Sequence, residues 1–343
     1  MQISAAFYRG NKTFEVKEID STPPGDGEVQ IEVGYCGVCG TDLHVYLGHM
    51  DARVGFSRIL GHEMAGVVRA VGSGVSDFGP GDRVVVRPLD HCGDCPACNA
   101  GHSHICHKLK FIGLDSDGAM QGLWNVPSHT LHSIPDNVSL RDASMIEPLA
   151  VAFHDVSRAK LSNTDDVLVI GGGPIGLLIA LAARLTTPNV TIVEINSHRR
   201  QFAGDLGFTV LDPGNIDVAD EIAKATRGTG ADVVFEVSGS QGGVDLMTRC
   251  AATRARIVMV AIHAQKPSID LFQFFWREIE MLGARVYEPK DYDDAIRAIG
   301  EGRIDVGALI TDVRPLRDVS TAFEELTRNP KAMKTLITIA GDV

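Results

Sequence analysis

Four cysteines lie close together in the first half of the chain, at a spacing typical of a metal site. The pattern is Cys-x2-Cys-x2-Cys-x7-Cys, and its members are Cys92, Cys95, Cys98 and Cys106. Zinc in a structural site takes four thiolates in a tetrahedron. Gly93 and Gly101 let the chain turn around such a centre. The pattern therefore predicts a closed lobe, at about residues 91–107, that holds a structural zinc. We interpret the three histidines of this lobe as surface residues: His102, His104 and His107.

A second group of candidate metal ligands precedes this lobe. Cys39 offers a thiolate, His62 an imidazole and Glu63 a carboxylate. Sulfur and imidazole ligands suit zinc, and a site with three protein ligands keeps a position open for water or substrate. Adjacent residues on a strand point to opposite faces, so His62 and Glu63 can share one metal only if the chain bends there. These three residues together predict a site for a catalytic metal ion.

A glycine-rich turn at residues 171–176, Gly-Gly-Gly-Pro-Ile-Gly, predicts a dinucleotide site. A strand at 167–170 leads into it, a helix at 177–185 leads out, and Glu194 ends the next strand. The turn lets a pyrophosphate approach the helix N-terminus. Glu194 would bind the ribose hydroxyls and repel a 2′-phosphate, which favours NAD over NADP. The basic run at 198–200 could still tolerate a phosphate. The candidates in the turn are Gly171, Gly173, Pro174, Ile175 and Gly176.

The bulk composition narrows the class of protein. With 343 residues, 44% apolar and 22% charged, the chain predicts a globular protein of two domains. Its formal charge of −12 argues against nucleic acid or an anionic membrane as partner. We expect no signal peptide and no membrane span, because glycines interrupt the longest apolar run. Seven cysteines, four of them at metal spacing, favour zinc over disulfides in a cytoplasmic protein.

The pattern of elements changes along the chain. Up to about residue 122, short alternating strands and frequent turns predict an irregular, mostly antiparallel β-barrel. From Asp166 onward strands alternate with helices, which predicts an α/β domain with a parallel sheet covered on both faces. Two helices, at 291–299 and 319–327, and a strand at 334–339 are expected near the end.

Three segments carry a family resemblance: Tyr35–His44 (YCGVCGTDLH), Gly61–Glu63 (GHE) and Ile146–His154 (IEPLAVAFH). Over essentially its full length the chain resembles the zinc-dependent medium-chain dehydrogenases, the alcohol dehydrogenase superfamily. The third segment is similar to the polyol (sorbitol-type) and 2,3-butanediol dehydrogenase branch. The resemblance implies a GroES-like β-barrel catalytic domain, 1–149 and 286–343, and a Rossmann NAD-binding domain with a doubly wound parallel sheet, 150–285.

The resemblance also assigns roles to residues and implies two zinc ions per subunit. Cys39 and His62 become catalytic zinc ligands, with Glu63 or Glu147 as the third. Strand geometry favours Glu147, or an exchange between the two acids. Thr41 and His44 form a proton relay from the alcohol to the surface; the alternative for His44 is a satisfied core histidine. Cys36 is a buried residue and not a ligand. Further residues are placed beside the cofactor: Arg199, Val260, Ala261, Ile262, Arg285, Val286 and Tyr287.

The function implied is hydride transfer between NAD(H) and the carbinol carbon of a polyol, sugar alcohol or vicinal diol. Val45 stands where sorbitol enzymes have a substrate-binding tyrosine, so sorbitol itself is not favoured. One alternative is an enzyme like L-threonine 3-dehydrogenase, although Glu147-Pro148 replaces its usual Asp-Pro. Another is a relative that binds zinc and dinucleotide without catalysis. We expect a dimer or tetramer that pairs through a sheet edge at Pro267–Leu271.

Overall fold

The computed structural model describes residues 1–328 and 331–342. The chain divides into two compact units. The first comprises Met1–Glu147 together with Glu288–Val343, and the second comprises Pro148–Tyr287. The first unit is therefore built from two pieces of chain that flank the second unit in sequence. None of the helices in the described part of the chain combines the length and apolar character needed to cross a bilayer.

The strands, in chain order, are β1 (Gln2–Tyr8), β2 (Phe14–Asp20), β3 (Glu28–Gly37), β4 (Arg58–Ile59), β5 (Glu63–Val71), β6 (Arg83–Val86), β7 (Leu89–Asp90), β8 (Lys110–Phe111), β9 (Leu123–Pro127), β10 (Leu131–Ser133), β11 (Val167–Ile170), β12 (Val190–Val193), β13 (Thr209–Leu211), β14 (Ala231–Glu236), β15 (Ala251–Met259), β16 (Glu280–Gly283), β17 (Ile310–Pro315) and β18 (Lys334–Thr338).

The α-helices are α1 (Gly40–Tyr46), α2 (Asp51–Val54), α3 (Pro96–Asn99), α4 (Leu140–Ala143), α5 (Ile146–Ala159), α6 (Pro174–Arg184), α7 (Ser197–Asp205), α8 (Val218–Ala225), α9 (Gln241–Cys250), α10 (Leu271–Arg277), α11 (Pro289–Gly300) and α12 (Val319–Arg328).

The first unit is organised around one large mixed sheet in the order β10-β6-β5-β3-β18-β17, with β9 also paired to β3. Its pairs are antiparallel except β17 with β18. Strand β18 comes from the second piece of chain, and its Ile337 lies opposite Cys36 of β3. The first residues of β18 are thereby brought to the end of β3 that leads into Cys39.

The second unit contains a six-stranded sheet in the order β13-β12-β11-β14-β15-β16. Every pair in it is parallel. Strand β11, with the sequence Val-Leu-Val-Ile, is buried throughout because a doubly wound sheet is covered on both faces. The order is that of a dinucleotide-binding fold with its switch point beside β11. The predicted doubly wound parallel sheet is confirmed.

The expectation of an edge strand at Pro267–Leu271 is wrong. The edge strands of the sheet are β13 and β16, and Leu271 instead begins helix α10. Asp270 caps that helix by accepting a hydrogen bond from Phe272 N, and Ser268 bonds through its backbone to the Gln241 side chain. The backbone groups of this segment therefore serve a cap and a side chain instead of a sheet ladder.

Candidate metal centre and dinucleotide site

The ligand atoms of Cys39, His62 and Glu63 lie within 4.8 Å of one another. Cys39 is the N-cap of α1, and Glu63 is the first residue of β5. Gly61, which directly precedes His62 and Glu63, has φ of 100°. A Cβ at this position would lie 2.5 Å from Cys36 Sγ. Only glycine fits this bend, and His62 precedes the regular strand. The bend on which a shared site depends is thus present.

Asp42 supports this cluster from a fully buried position. Its Oδ2 accepts a hydrogen bond from Cys39 N at 3.0 Å, and its Oδ1 lies 3.6 Å from His62 Nδ1. Burial lowers the pKa of His62, but the negative charges of Asp42 and Cys39 outweigh burial and hold this pKa well above its usual value. Carboxylates that face one ring nitrogen commonly orient a metal-bound histidine. No sequence motif marks this role of Asp42.

Lys334 forms a buried ion pair with Glu63, through Nζ and Oε2. Their side chains are 4% and 1% exposed. Burial lowers the pKa of Lys334, but the charges of Glu63 and Cys39, and more weakly that of Glu147, raise it above its usual value. The lysine therefore stays protonated and compensates the acidic ligands. Sequence reasoning missed Lys334, which no motif marks.

The residues present fit a zinc ion. The ligand atoms of Cys39, His62 and Glu63 lie close enough together to surround one ion. A thiolate, an imidazole and a carboxylate are also a donor set that zinc accepts. Glu63 lies within ligand reach, and Glu147 is buried at the start of α5. Which of the two binds directly stays a prediction. Cys36 is fully buried, and burial raises its pKa.

The two relay candidates lie on helix α1, directly after Cys39. Thr41 is half-buried and His44 is exposed. The alternative that His44 is a satisfied core histidine is therefore wrong. His44 Nδ1 lies 3.3 Å from His49 Nδ1, a partner that the sequence did not suggest. The relay itself stays a prediction.

The four-cysteine lobe forms a compact set of sulfur atoms. The Cys95–Cys98, Cys92–Cys106 and Cys95–Cys106 sulfur atoms are 3.5, 3.4 and 3.8 Å apart. Tetrahedral zinc with bonds of about 2.3 Å places thiolates about 3.8 Å apart. Backbone N–H groups of Cys98 and His107 lower the pKa of Cys95 to about 6, which favours the thiolate that zinc binds. Of the lobe's histidines, His102 and His107 are exposed, but His104 is buried, contrary to expectation.

The glycine-rich turn has the geometry expected of a phosphate-binding loop. Gly171 has φ of 111°, and a Cβ at Gly176 would lie 1.8 Å from Gly171 O. Helix α6 begins directly after Gly173. Glu194 is buried, its Oε2 accepts from Gly172 N at 2.8 Å, and its Oε1 accepts from Asn196 N at 2.7 Å. The carboxylate is thus fixed beside the turn.

The two arginines that follow Glu194 differ in their surroundings. Arg199 Nη1 lies 3.5 Å from the position that a Cβ would take at Gly173. Its Nε is buried and has no hydrogen-bond partner in the described part of the chain. Arg200, in contrast, pairs with Asp212 at 2.7 Å. Only Arg199 therefore faces the turn, where a phosphate would bind.

The remaining cofactor candidates lie in the second unit. Val260 N and Ala261 N both donate to Glu236 O, at 3.0 and 3.1 Å, and Ile262 is 85% exposed. Glu236 is fully buried, and its Oε2 lies 3.1 Å from His263 Nε2, a contact that sequence reasoning missed. Arg285 is exposed, Tyr287 is fully buried, and Val286 has φ of 49°, which is unusual for a β-branched residue.

Two family models match the chain. Residues 25–136 match the alcohol dehydrogenase GroES-like domain, and residues 174–301 match the zinc-binding dehydrogenase domain. The first range contains the metal cluster and the four-cysteine lobe, and the second range begins within the glycine-rich turn, at Pro174.

Individual relatives match along nearly the whole chain. The 2-dehydro-3-deoxy-L-galactonate 5-dehydrogenase of Pseudoalteromonas atlantica is 49% identical, over 97% of this chain and 98% of that protein. The sorbitol dehydrogenase of Halalkalibacterium halodurans is 32% identical, over 96% of each. The crystal structure of 2R,3R-butanediol dehydrogenase from Bacillus subtilis superposes with a TM-score of 0.90, at 30% identity, over 98% of this chain and 99% of that one.

Proposed function

Because the chain belongs to the zinc-dependent medium-chain alcohol dehydrogenases, in the polyol and butanediol branch, we propose that its substrate is a sugar acid oxidised at a secondary carbinol. The protein is a zinc- and NAD-dependent oxidoreductase of secondary alcohols. The observation that carries the site of this reaction is the cluster of half-buried Cys39 with buried His62 and Glu63.

Each residue of the site has a definite task in this proposal. When bound, zinc supplies a Lewis acid for the alcohol oxygen, and NAD supplies the hydride acceptor. Cys39 and His62 hold the metal, with Glu63 or Glu147 as the third ligand. Asp42 fixes the ring of His62 and leaves the other ring nitrogen for the metal. Thr41 and His44 pass the alcohol proton toward solvent.

The choice of a sugar acid follows from the relatives. The relative that is 49% identical is named for a deoxy sugar acid, whereas the sorbitol and butanediol enzymes are 32% and 30% identical. Val45 also stands where sorbitol enzymes use a tyrosine for substrate. A polyol or vicinal diol is the second candidate, since it carries the same secondary carbinol.

A substrate panel tests this proposal. NAD reduction would be followed by absorbance with aldonates and deoxy aldonates, their matching polyols, butanediol stereoisomers and L-threonine. We expect kcat/KM to be highest for a sugar acid and to fall when its carboxylate is replaced by a hydroxymethyl group. Higher kcat/KM for the polyol would favour the second candidate. Preference for threonine, or no turnover by zinc-loaded protein, would favour the alternatives set out above.

Glu194 is expected to set the preference for NAD. The variant Glu194→Gln keeps the size of the side chain but removes the charge that would bind the ribose hydroxyls and repel a 2′-phosphate. Hydrogen bonds to charged groups are worth about 1.5–3 kcal/mol. We therefore expect the ratio of kcat/KM for NAD over NADP to fall roughly tenfold to a hundredfold. Glu221→Gln, at an acid paired with Lys224 on the surface, is the control. An unchanged ratio in Glu194→Gln would refute this role.

We also propose that the protein is a homo-oligomer that pairs through the β16 edge of its parallel sheet. Large apolar side chains next to this edge are exposed on α10 and β16: Leu271, Phe272, Phe275, Trp276 and Met281, at 68%, 60%, 78%, 70% and 47%. Exposed apolar patches beside a bare sheet edge are typical of interfaces. A two-fold axis through this edge would cover both and give a dimer, or half of a tetramer.

Charges placed in this patch are expected to separate the subunits. The double variant Phe275→Asp/Trp276→Asp would bury four like charges in each two-fold interface, so we expect it to sediment as a monomer while the unaltered protein sediments as a dimer or tetramer. Phe56→Asp, on the first unit, changes a residue that is 58% exposed and should leave the mass unchanged. Assembly that persists in the double variant would place the interface elsewhere.

We also propose that the protein is cytoplasmic. All seven cysteines are free thiols, and four of them form the lobe that zinc requires in thiolate form. A reducing compartment preserves such thiols.

A further inference from the structure

The third group of metal-ligand side chains lies outside the two zinc sites. It consists of His102, His104 and Glu288, whose ligand atoms lie within 4.8 Å of one another. All three belong to the first unit, although Glu288 comes from its second piece of chain. Neither the dehydrogenase chemistry nor the structural lobe requires them.

Both imidazoles face the same oxygen atom. His102 Nδ1 and His104 Nδ1 each lie 3.7 Å from Glu288 Oε1. Ligands around a tetrahedral ion with bonds of about 2.1 Å are about 3.4 Å apart, so a shift of a few tenths of an ångström brings the atoms to coordination distance. The two rings are nearly perpendicular, at 89°, with centroids 6.1 Å apart. The rings are therefore not stacked on each other, and the atom they share is Glu288 Oε1.

The backbone holds these side chains in place from two directions. His104 lies in a short 3-10 turn, Ser103–Ile105, which ends at the zinc ligand Cys106, and its side chain is 7% exposed. Glu288 is the N-cap of α11 and is followed by Pro289, a residue suited to a helix start. Asp291 accepts a hydrogen bond from Glu288 N at 2.8 Å, as one half of a capping box at this helix start. His102, 56% exposed, closes the group on the solvent side.

We propose that His102, His104 and Glu288 bind a divalent transition metal, such as zinc, as a third metal site with water in its remaining positions. Two imidazoles and one carboxylate prefer zinc, nickel, cobalt or copper over magnesium and calcium. The bound ion clamps the N-cap residue of α11 to the four-cysteine lobe. It thereby ties together the two pieces of chain that build the first unit.

The test is a metal titration of the tag-free protein already loaded with two zinc ions per chain. Zinc would be added in competition with a chromophoric chelator of micromolar affinity, and bound metal would be counted by elemental analysis. We expect a third equivalent to bind. Even an outer-shell partner contributes about tenfold to metal affinity, so we expect His102→Gln and Glu288→Gln to weaken the third equivalent at least tenfold. Millimolar magnesium should not displace it.

His107→Gln is the matched control, because His107 is an exposed histidine of the same lobe outside the group. It should bind the third zinc as the unaltered protein does. In a second measurement, added zinc should raise the Tm of the unaltered protein and of His107→Gln, but not that of the two ligand variants. Absence of a third equivalent, or its equal retention in His102→Gln and Glu288→Gln, would overturn the proposal.

Discussion

Replacing His62 by alanine is expected to lower kcat/KM for alcohol oxidation by about a thousandfold or more. A Lewis acid contributes several kcal/mol to the stabilisation of the transition state, and each 1.36 kcal/mol corresponds to a factor of ten in rate. His62 is buried, and its ligand atom lies within 4.8 Å of those of Cys39 and Glu63. Loss of its imidazole therefore removes one of the few side chains that can bind the catalytic zinc. After dialysis against excess chelator that empties the third site proposed above, elemental analysis should show one zinc per chain instead of two.

The lobe and the fold should survive this change, because the four cysteines are separate from the catalytic cluster. His129→Ala provides the comparison, since His129 is a half-exposed histidine of the same unit that lies 3.3 Å from Asp90. It should keep both zinc ions and nearly full activity. A His62→Ala protein that keeps two zinc ions after the same dialysis, or more than a tenth of normal activity, would contradict the site as described.

Replacing Lys334 by methionine is expected to destabilise the protein strongly, and more so without the catalytic zinc. Breaking a buried ion pair by removing one partner costs about 3–5 kcal/mol because a buried charge is left uncompensated. Here the charge is that of Glu63, which is 1% exposed. Zinc would supply a replacement positive charge, so the loss should be smaller in the zinc-loaded protein. Denaturant unfolding before and after selective chelation of the catalytic zinc measures both values.

A double variant separates lost charge compensation from lost packing. Lys334→Met/Glu63→Gln removes both charges and keeps both shapes. Its free energy of unfolding should therefore be well above the value expected if the losses of the two single variants simply added. Arg328→Met is the control, because the pair of Arg328 with Glu324 is exposed and such pairs contribute little. Equal losses for Lys334→Met with and without zinc would show that Glu63 is not charged beside the metal.

The parts of the fold that could be predicted are those with local signals. The buried run at β11, the glycine turn and the acid at Glu194 follow one another along the chain, and the structure has them in the predicted relation. Strand β11 has the predicted bounds, and helix α12 extends one residue beyond its predicted end. The cysteine lobe is likewise a short, continuous segment, so the spacing of its four cysteines predicts most of its geometry.

The contacts that could not be predicted join residues that are far apart in sequence. Lys334 reaches Glu63 because β18 pairs with β3, and nothing in the strand sequence specifies that neighbour. Glu288 meets His104 for a similar reason, through the return of the chain to the first unit. The shared site of His62 and Glu63 depended on one backbone angle, at Gly61, where a glycine could also have been an ordinary turn. Pairing partners and φ values of this kind are set by tertiary structure.

The split construction of the first unit has a consequence for synthesis on the ribosome. Lys334 is translated only after the entire segment Pro148–Tyr287, so Cys39, His62 and Glu63 emerge long before their positive neighbour. The second unit is one continuous stretch and can fold as it emerges. Until Lys334 emerges, the acidic side chains of this cluster have no lysine beside them, and their charges are stabilised by water. The metal centre can reach its final electrostatic balance only when β18 inserts beside β3.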